Sequence, residues 1–178
     1  MLSIALFVAA FAYSHWTVAF TLISEGPGFQ VGRIGSVIVT IHTQAATVEL
    51  IKTLDVALEQ HRASFPRFSV LALVSGGAIK TPESGLKDLV IAQEKRFSSA
   101  IIGAGVAIEA KGLSAVLTRT FLAAYTLLSS HAFPVKSFGT TELAVAWLQS
   151  LPNQEQYFAK DSQCAALAKQ ALTTRLAA

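Results

Sequence analysis

The chain holds one cysteine, Cys164, so it can form no internal disulfide, and it has no cluster of cysteine and histidine to hold zinc. On the last helical segment, Cys164 reads as a small buried or half-buried hydrophobe. Charge is scarce as well. Asp, Glu, Lys and Arg make up 14% of the residues, against about a quarter in ordinary globular chains. The 14 basic and 11 acidic residues leave a net charge of +3, and they are scattered along the chain. The densest group, from Lys87 to Arg96, is mixed in sign and reads as a solvated helix face. Nucleic-acid binding needs basic residues gathered on one face, so it is not expected.

Catalytic signatures are missing in the same way. The four histidines, His15, His42, His61 and His131, contain no i,i+4 pair and no H-E-x-x-H spacing. Val74-Ser75-Gly76-Gly77 lacks the preceding glycine of a nucleophile elbow. Gly103-Ala104-Gly105 resembles half of a dinucleotide fingerprint but lies inside a strand, where small residues serve close helix packing. No P-loop is present. No cofactor and no metal are expected.

What the chain does have is apolar residues, 52% of its 178 positions. That excludes a disordered chain and allows a sizeable core. Part of the surplus is local, because residues 1–23 contain no Asp, Glu, Lys or Arg. As a helix they would reach roughly 35 Å, enough to span a bilayer. Three readings stay open: a signal peptide cut near Ala10-Phe11-Ala12, a membrane anchor, or a buried amino-terminal segment running into a strand. The expected location is cytoplasmic, with membrane contact through residues 1–23 as the variant.

Thr17–Ser24 is rich in β-branched and aromatic residues and ends at the turn signal Glu25-Gly26-Pro27-Gly28. Phe29–Arg33 and Ser36–His42 follow as strands. Val37, Val39 and Ile41 share one side of the latter while Ile38 faces the other, which implies burial on both. From Thr47, a capping residue, Val48, Ile51, Leu54 and Leu58 recur at helical spacing to about His61. Phe68–Val74 is a continuous apolar run, as in a central strand covered on both faces. Further helices are expected over Pro82–Phe97, Leu113–Ser130 and Glu142–Leu151, with strands at Ala100–Ile108 and Pro134–Phe138. The Ala-rich stretch from Gln154 to Ala178 reads as helical but weakly tied to the core. The expected fold is therefore α/β, with a mixed, mostly parallel sheet of five or six strands and four or five helices. The expected divisions are an apolar segment (1–23), an α/β domain (24–151) and a helical tail (152–178).

In this order the elements resemble the STAS/SpoIIAA-like domains and the related CRAL-TRIO-like lipid-binding domains, over about residues 30–150. Three stretches carry the likeness. Ser36–Ile41 with its following helix is similar to the family's central strand and first helix. Phe68–Val74 followed by Glu83-Ser84-Gly85-Leu86 resembles its strand, loop and S-S-G-L segment. Pro134–Leu148 is similar to its closing strand and a helix ending in Trp-Leu. The family's phosphorylatable serine falls at Glu83 and the acidic residue before it at Pro82, so the resemblance implies a domain without that switch. Ser84 keeps a hydroxyl at a helix start, where capping is the common role.

The candidate ligand- or partner-binding residues lie on one expected edge of the sheet. They are His42 at a strand end, the Ser75-Gly76-Gly77 loop, Glu83 and Ser84 at a helix start, and Lys111 in a loop. Backbone amides there suit an anion or a peptide. Arg119 is the one charge in an apolar helix; it either snorkels to water or pairs with an acid such as Glu109 or Glu142. The expected function is a non-enzymatic regulatory or protein-interaction module, with another protein or a second copy as partner. The alternative is a domain for a small apolar ligand or lipid.

Overall fold

The computed structural model describes residues 19–75, 85–109, 131–154, 158 and 163–177. Six strands form one sheet in chain order: β1 (Thr21–Gly26), β2 (Phe29–Ile34), β3 (Val37–His42), β4 (Phe68–Val74), β5 (Ile101–Ile108) and β6 (Val135–Phe138). β1, β2 and β3 pair antiparallel, and β3 to β6 pair parallel. The described helices are α1 (Val48–Ser64), α2 (Leu86–Phe97), α3 (Thr141–Ser150) and α4 (Cys164–Ala177). The α/β class and the mixed, mostly parallel sheet are as the sequence implies.

Local chemistry explains several boundaries. The Thr47 side chain accepts a hydrogen bond from the Leu50 amide at 3.2 Å and starts α1. Thr140 does the same for Leu143 at 3.3 Å and starts α3. β1 runs two residues past the expected Ser24, because the hairpin closes on Pro27 and Gly28 alone, pairing Gly26 with Phe29. Gly28 takes φ +75°, and a Cβ there would meet the Gln44 side chain at 2.5 Å.

The helices cover both faces of the sheet. Val37, Val39 and Ile41 of β3 join Leu71 and Leu73 beneath Ala144, Val145 and Leu148 of α3. On the other face Ile38 and Phe68 pack with Leu50, Ala57 and Leu58 of α1 and Phe97 of α2. β3 is therefore buried on both sides, which is why its apolar residues do not alternate with polar ones. One polar residue inside the core, Ser69, is satisfied by Gln154: its hydroxyl donates to Oε1 at 3.1 Å and accepts from Nε2 at 2.8 Å. The register of β5 slips between the Phe68–Ile101 and Ser69–Gly103 pairs, as at a β-bulge, and turns Gly103 and Gly105 toward α3. A Cβ on Gly105 would lie 3.3 Å from Leu148, and one on Gly103 2.4 Å from Leu151. The glycines thus set the close approach of α3 to the sheet.

The carboxy-terminal segment departs from expectation. Rather than lying loosely against the domain, α4 buries Cys164, Ala168 and Leu172 in the same cluster as Ile34 and Val39. Arg175 adds a hydrogen bond to the Gly26 carbonyl at 2.8 Å. Cys164 is fully buried, as read. Among the described residues no helix is long and apolar enough to cross a membrane; residues 1–18 and the expected helix over 113–130 lie outside them.

Candidate functional site

Parallel pairing aligns the carboxyl ends of the strands. His42 pairs with Val74, Val74 with Ile108, and Ala107 with Phe138. Each strand therefore hands over to its next element along one edge. The Ser75 amide donates to the His42 carbonyl at 2.9 Å, and the Glu109 amide to the Val74 carbonyl at 3.1 Å. The β1–β2 turn joins this edge, where the Thr43 amide donates to the Gly28 carbonyl at 2.8 Å. His42 and Ser75, both candidates from sequence, are thus brought together. Gly76, Gly77, Glu83, Ser84, Lys111 and Arg119 lie outside the described residues.

Among the described residues of the edge, His42 and Glu109 each have a side-chain hydrogen bond. His42 Nε2 lies 2.8 Å from the Thr40 hydroxyl, and burial pushes its imidazole down to about 4, which holds the ring neutral near pH 7. The bond between Ser75 and His42 is made by the backbone, not the hydroxyl-to-imidazole pair that a serine nucleophile needs. Glu109 Oε1 accepts both the Thr141 amide at 2.9 Å and the Thr141 hydroxyl at 2.7 Å. A carboxylate from the end of β5 thereby neutralises the amino terminus of α3. Beside it, Glu142 is paired with Lys169 of α4; the hydrogen bond lowers the Glu142 carboxyl and raises the Lys169 ammonium from their ordinary values.

Leu143, in the first turn of α3 on this same edge, is 57% exposed. It was not singled out from sequence, where only the span of that helix, Glu142–Leu151, is assigned. Glu109 entered only as a partner for Arg119, and its role in holding Thr141 depends on two segments separated by 32 positions. Away from the edge, His131 Nδ1 lies 3.0 Å from Glu94 Oε1 and fastens the approach to β6 onto α2. Among the described residues no group of three His, Cys, Asp or Glu is arranged to hold a metal ion.

No family model matches the chain, and no curated protein or solved structure matches it.

Proposed function

We propose that this chain is a non-enzymatic protein-interaction module of the STAS-like kind, docking a partner protein on the carboxyl edge of its parallel strands. The observation that carries this reading is the exposed Leu143 beside two hydrogen-bonded pairs of the described edge, His42 with Thr40 and Glu109 with Thr141. An exposed leucine next to a rigid frame of satisfied hydrogen bonds suits recognition, since an apolar anchor gains from burial while the frame needs no rearrangement. A reacting centre would instead leave an acid, base or nucleophile available to substrate. The alternation of strands and helices from β3 to β5, with α3 following β6, supports the family resemblance. In that family's terms, Glu83 stands where the phosphorylatable serine would be, so regulation at that position would not be by phosphorylation.

Paired affinity capture tests the proposal. The full chain and a Leu143→Asp variant serve as baits under identical conditions, and their thermal unfolding is compared first. The same protein is retained by the wild type and lost from the variant, with equal melting temperatures. Equal retention by both baits, or specific retention by neither, contradicts the reading.

A further inference from the structure

The fold gathers at one edge of the sheet cations that lie scattered in the sequence. The amino ends of the parallel strands, the β2–β3 turn and the last turns of α1 and α2 meet there. Together they carry Arg33, Arg62, Arg67, Lys95 and Arg96. Three acids accompany them among the described residues, and all three are engaged. Asp55 and Glu59 bond Arg96 at 3.0 and 3.2 Å, Glu59 also lies 3.6 Å from Arg62, and Glu94 holds His131. Arg33, Arg67 and Lys95 have no ion pair among the described residues, and Arg67 and Lys95 are exposed. A cation in the last turn of a helix complements its dipole, which accounts for Lys95. Arg33 belongs to a strand and Arg67 to a turn, so that explanation does not reach them. At the opposite edge Glu25, Glu49, Asp88, Glu109 and Glu142 outnumber Lys87, Lys169 and Arg175, so the two edges differ in sign.

The chain enters the domain at this same edge, through a stretch of opposite character. Phe20 packs over Gly32, and Thr21, the first residue of β1, pairs with Arg33. Residues 1–18 therefore join the domain beside the β2–β3 turn. They contain no Asp, Glu, Lys or Arg, and Tyr13 and Trp16 fall between the apolar run 4–12 and the domain. An apolar stretch, then aromatic residues, then cations matches the order of hydrocarbon, interface and anionic headgroup in a bilayer. RNA would use the cations and leave the apolar stretch without a role, and a second copy would set like charges against each other. We infer that the basic amino edge docks on an anionic phospholipid membrane, with residues 1–18 adding apolar contact to the lipid. The partner surface at the carboxyl edge then faces away from the lipid, and neither site depends on the other.

Flotation of the full chain with lipid vesicles tests the inference. Vesicles of phosphatidylcholine alone are compared with vesicles containing about 30% phosphatidylserine. The chain partitions to the anionic vesicles at least about tenfold more strongly, and rising salt removes the difference. Arg67→Gln combined with Lys95→Gln, both at exposed positions, lowers partition to the anionic vesicles about fivefold for each charge removed. Partition of that variant to the neutral vesicles is unchanged. Leu6→Asp combined with Phe7→Asp lowers partition to both compositions. Leu143→Asp changes neither, which separates this site from the partner surface. Equal partition to the two compositions, an undiminished preference in the folded R67Q/K95Q variant, or binding to neither overturns the inference. So does tighter binding to a single-stranded RNA than to the anionic vesicles, or self-association that R67Q/K95Q abolishes.

Discussion

Glu109 and Thr141 meet through one oxygen: Oε1 of the glutamate accepts the backbone amide and the side-chain hydroxyl of a fully buried threonine. The carboxylate at the end of β5 thus fixes where α3 begins, and with it the position of Leu143. Removing the acceptor leaves two buried donors unmet. Glu109→Ala is expected to destabilise the fold by about 2–3 kcal/mol, and Glu109→Gln, which keeps an acceptor but loses the charge, by about 1 kcal/mol. Urea unfolding with an unchanged m-value checks both.

Acid should weaken the fold through two histidines. His42 and His61 sit at about 4 in the folded chain against 6.5 for a free imidazole, because burial disfavours their charged forms. Between these values the unfolded chain binds protons that the folded chain does not. Their contribution is therefore complete above about pH 6.5 and is lost progressively as pH falls toward 4. Each can contribute a slope of at most about 1.4 kcal/mol per pH unit. The urea midpoint measured from pH 7 to pH 4.5 should fall, and His61→Leu should flatten that fall; an identical pH profile in the variant would remove His61 from the explanation.

The last helix belongs to the core, so its removal is not a trimming of the tail. Leu172→Ala is expected to cost about 2–4 kcal/mol by leaving a cavity among Cys164, Ala168 and the sheet. Cys164 reports on the same packing. Its thiol should resist a disulfide reagent in the native chain and react faster in Leu172→Ala, whereas rapid reaction in the wild type would mean that α4 does not stay docked.

Gly105 tests the spacing of α3 from β5. Leu148 would lie 3.3 Å from a Cβ at this position, so the branched side chain of Gly105→Val must displace it. A loss of about 1–3 kcal/mol is expected, even though valine itself favours strands. A variant as stable as the wild type would show that α3 has room to move.

Much of this architecture was legible in the residues. Thr47 and the apolar spacing after it mark α1, and Ile38 among Val37, Val39 and Ile41 announces a strand covered on both faces. Gly103 and Gly105 were read as packing residues, and they face Leu151 and Leu148. The docking of α4 was hidden because alanines and leucines surround that helix and no single stripe stands out. His61 left a trace, since it continues the buried series of Ala57 and Leu58 along α1. The edge was less legible: strand ends are visible in a sequence, but which of them lie side by side is decided by strand order.

The central claim is that a protein docks on the carboxyl edge beside Leu143, and photo-crosslinking in cells tests it most directly. A benzophenone amino acid is placed at Leu143 and, as a control, at exposed Arg67, just before the amino end of β4. The account predicts a discrete adduct from position 143, either at twice the 18.9 kDa chain mass or with one defined other protein, and none from position 67. Equal labelling from both positions, or no adduct from position 143, would contradict it.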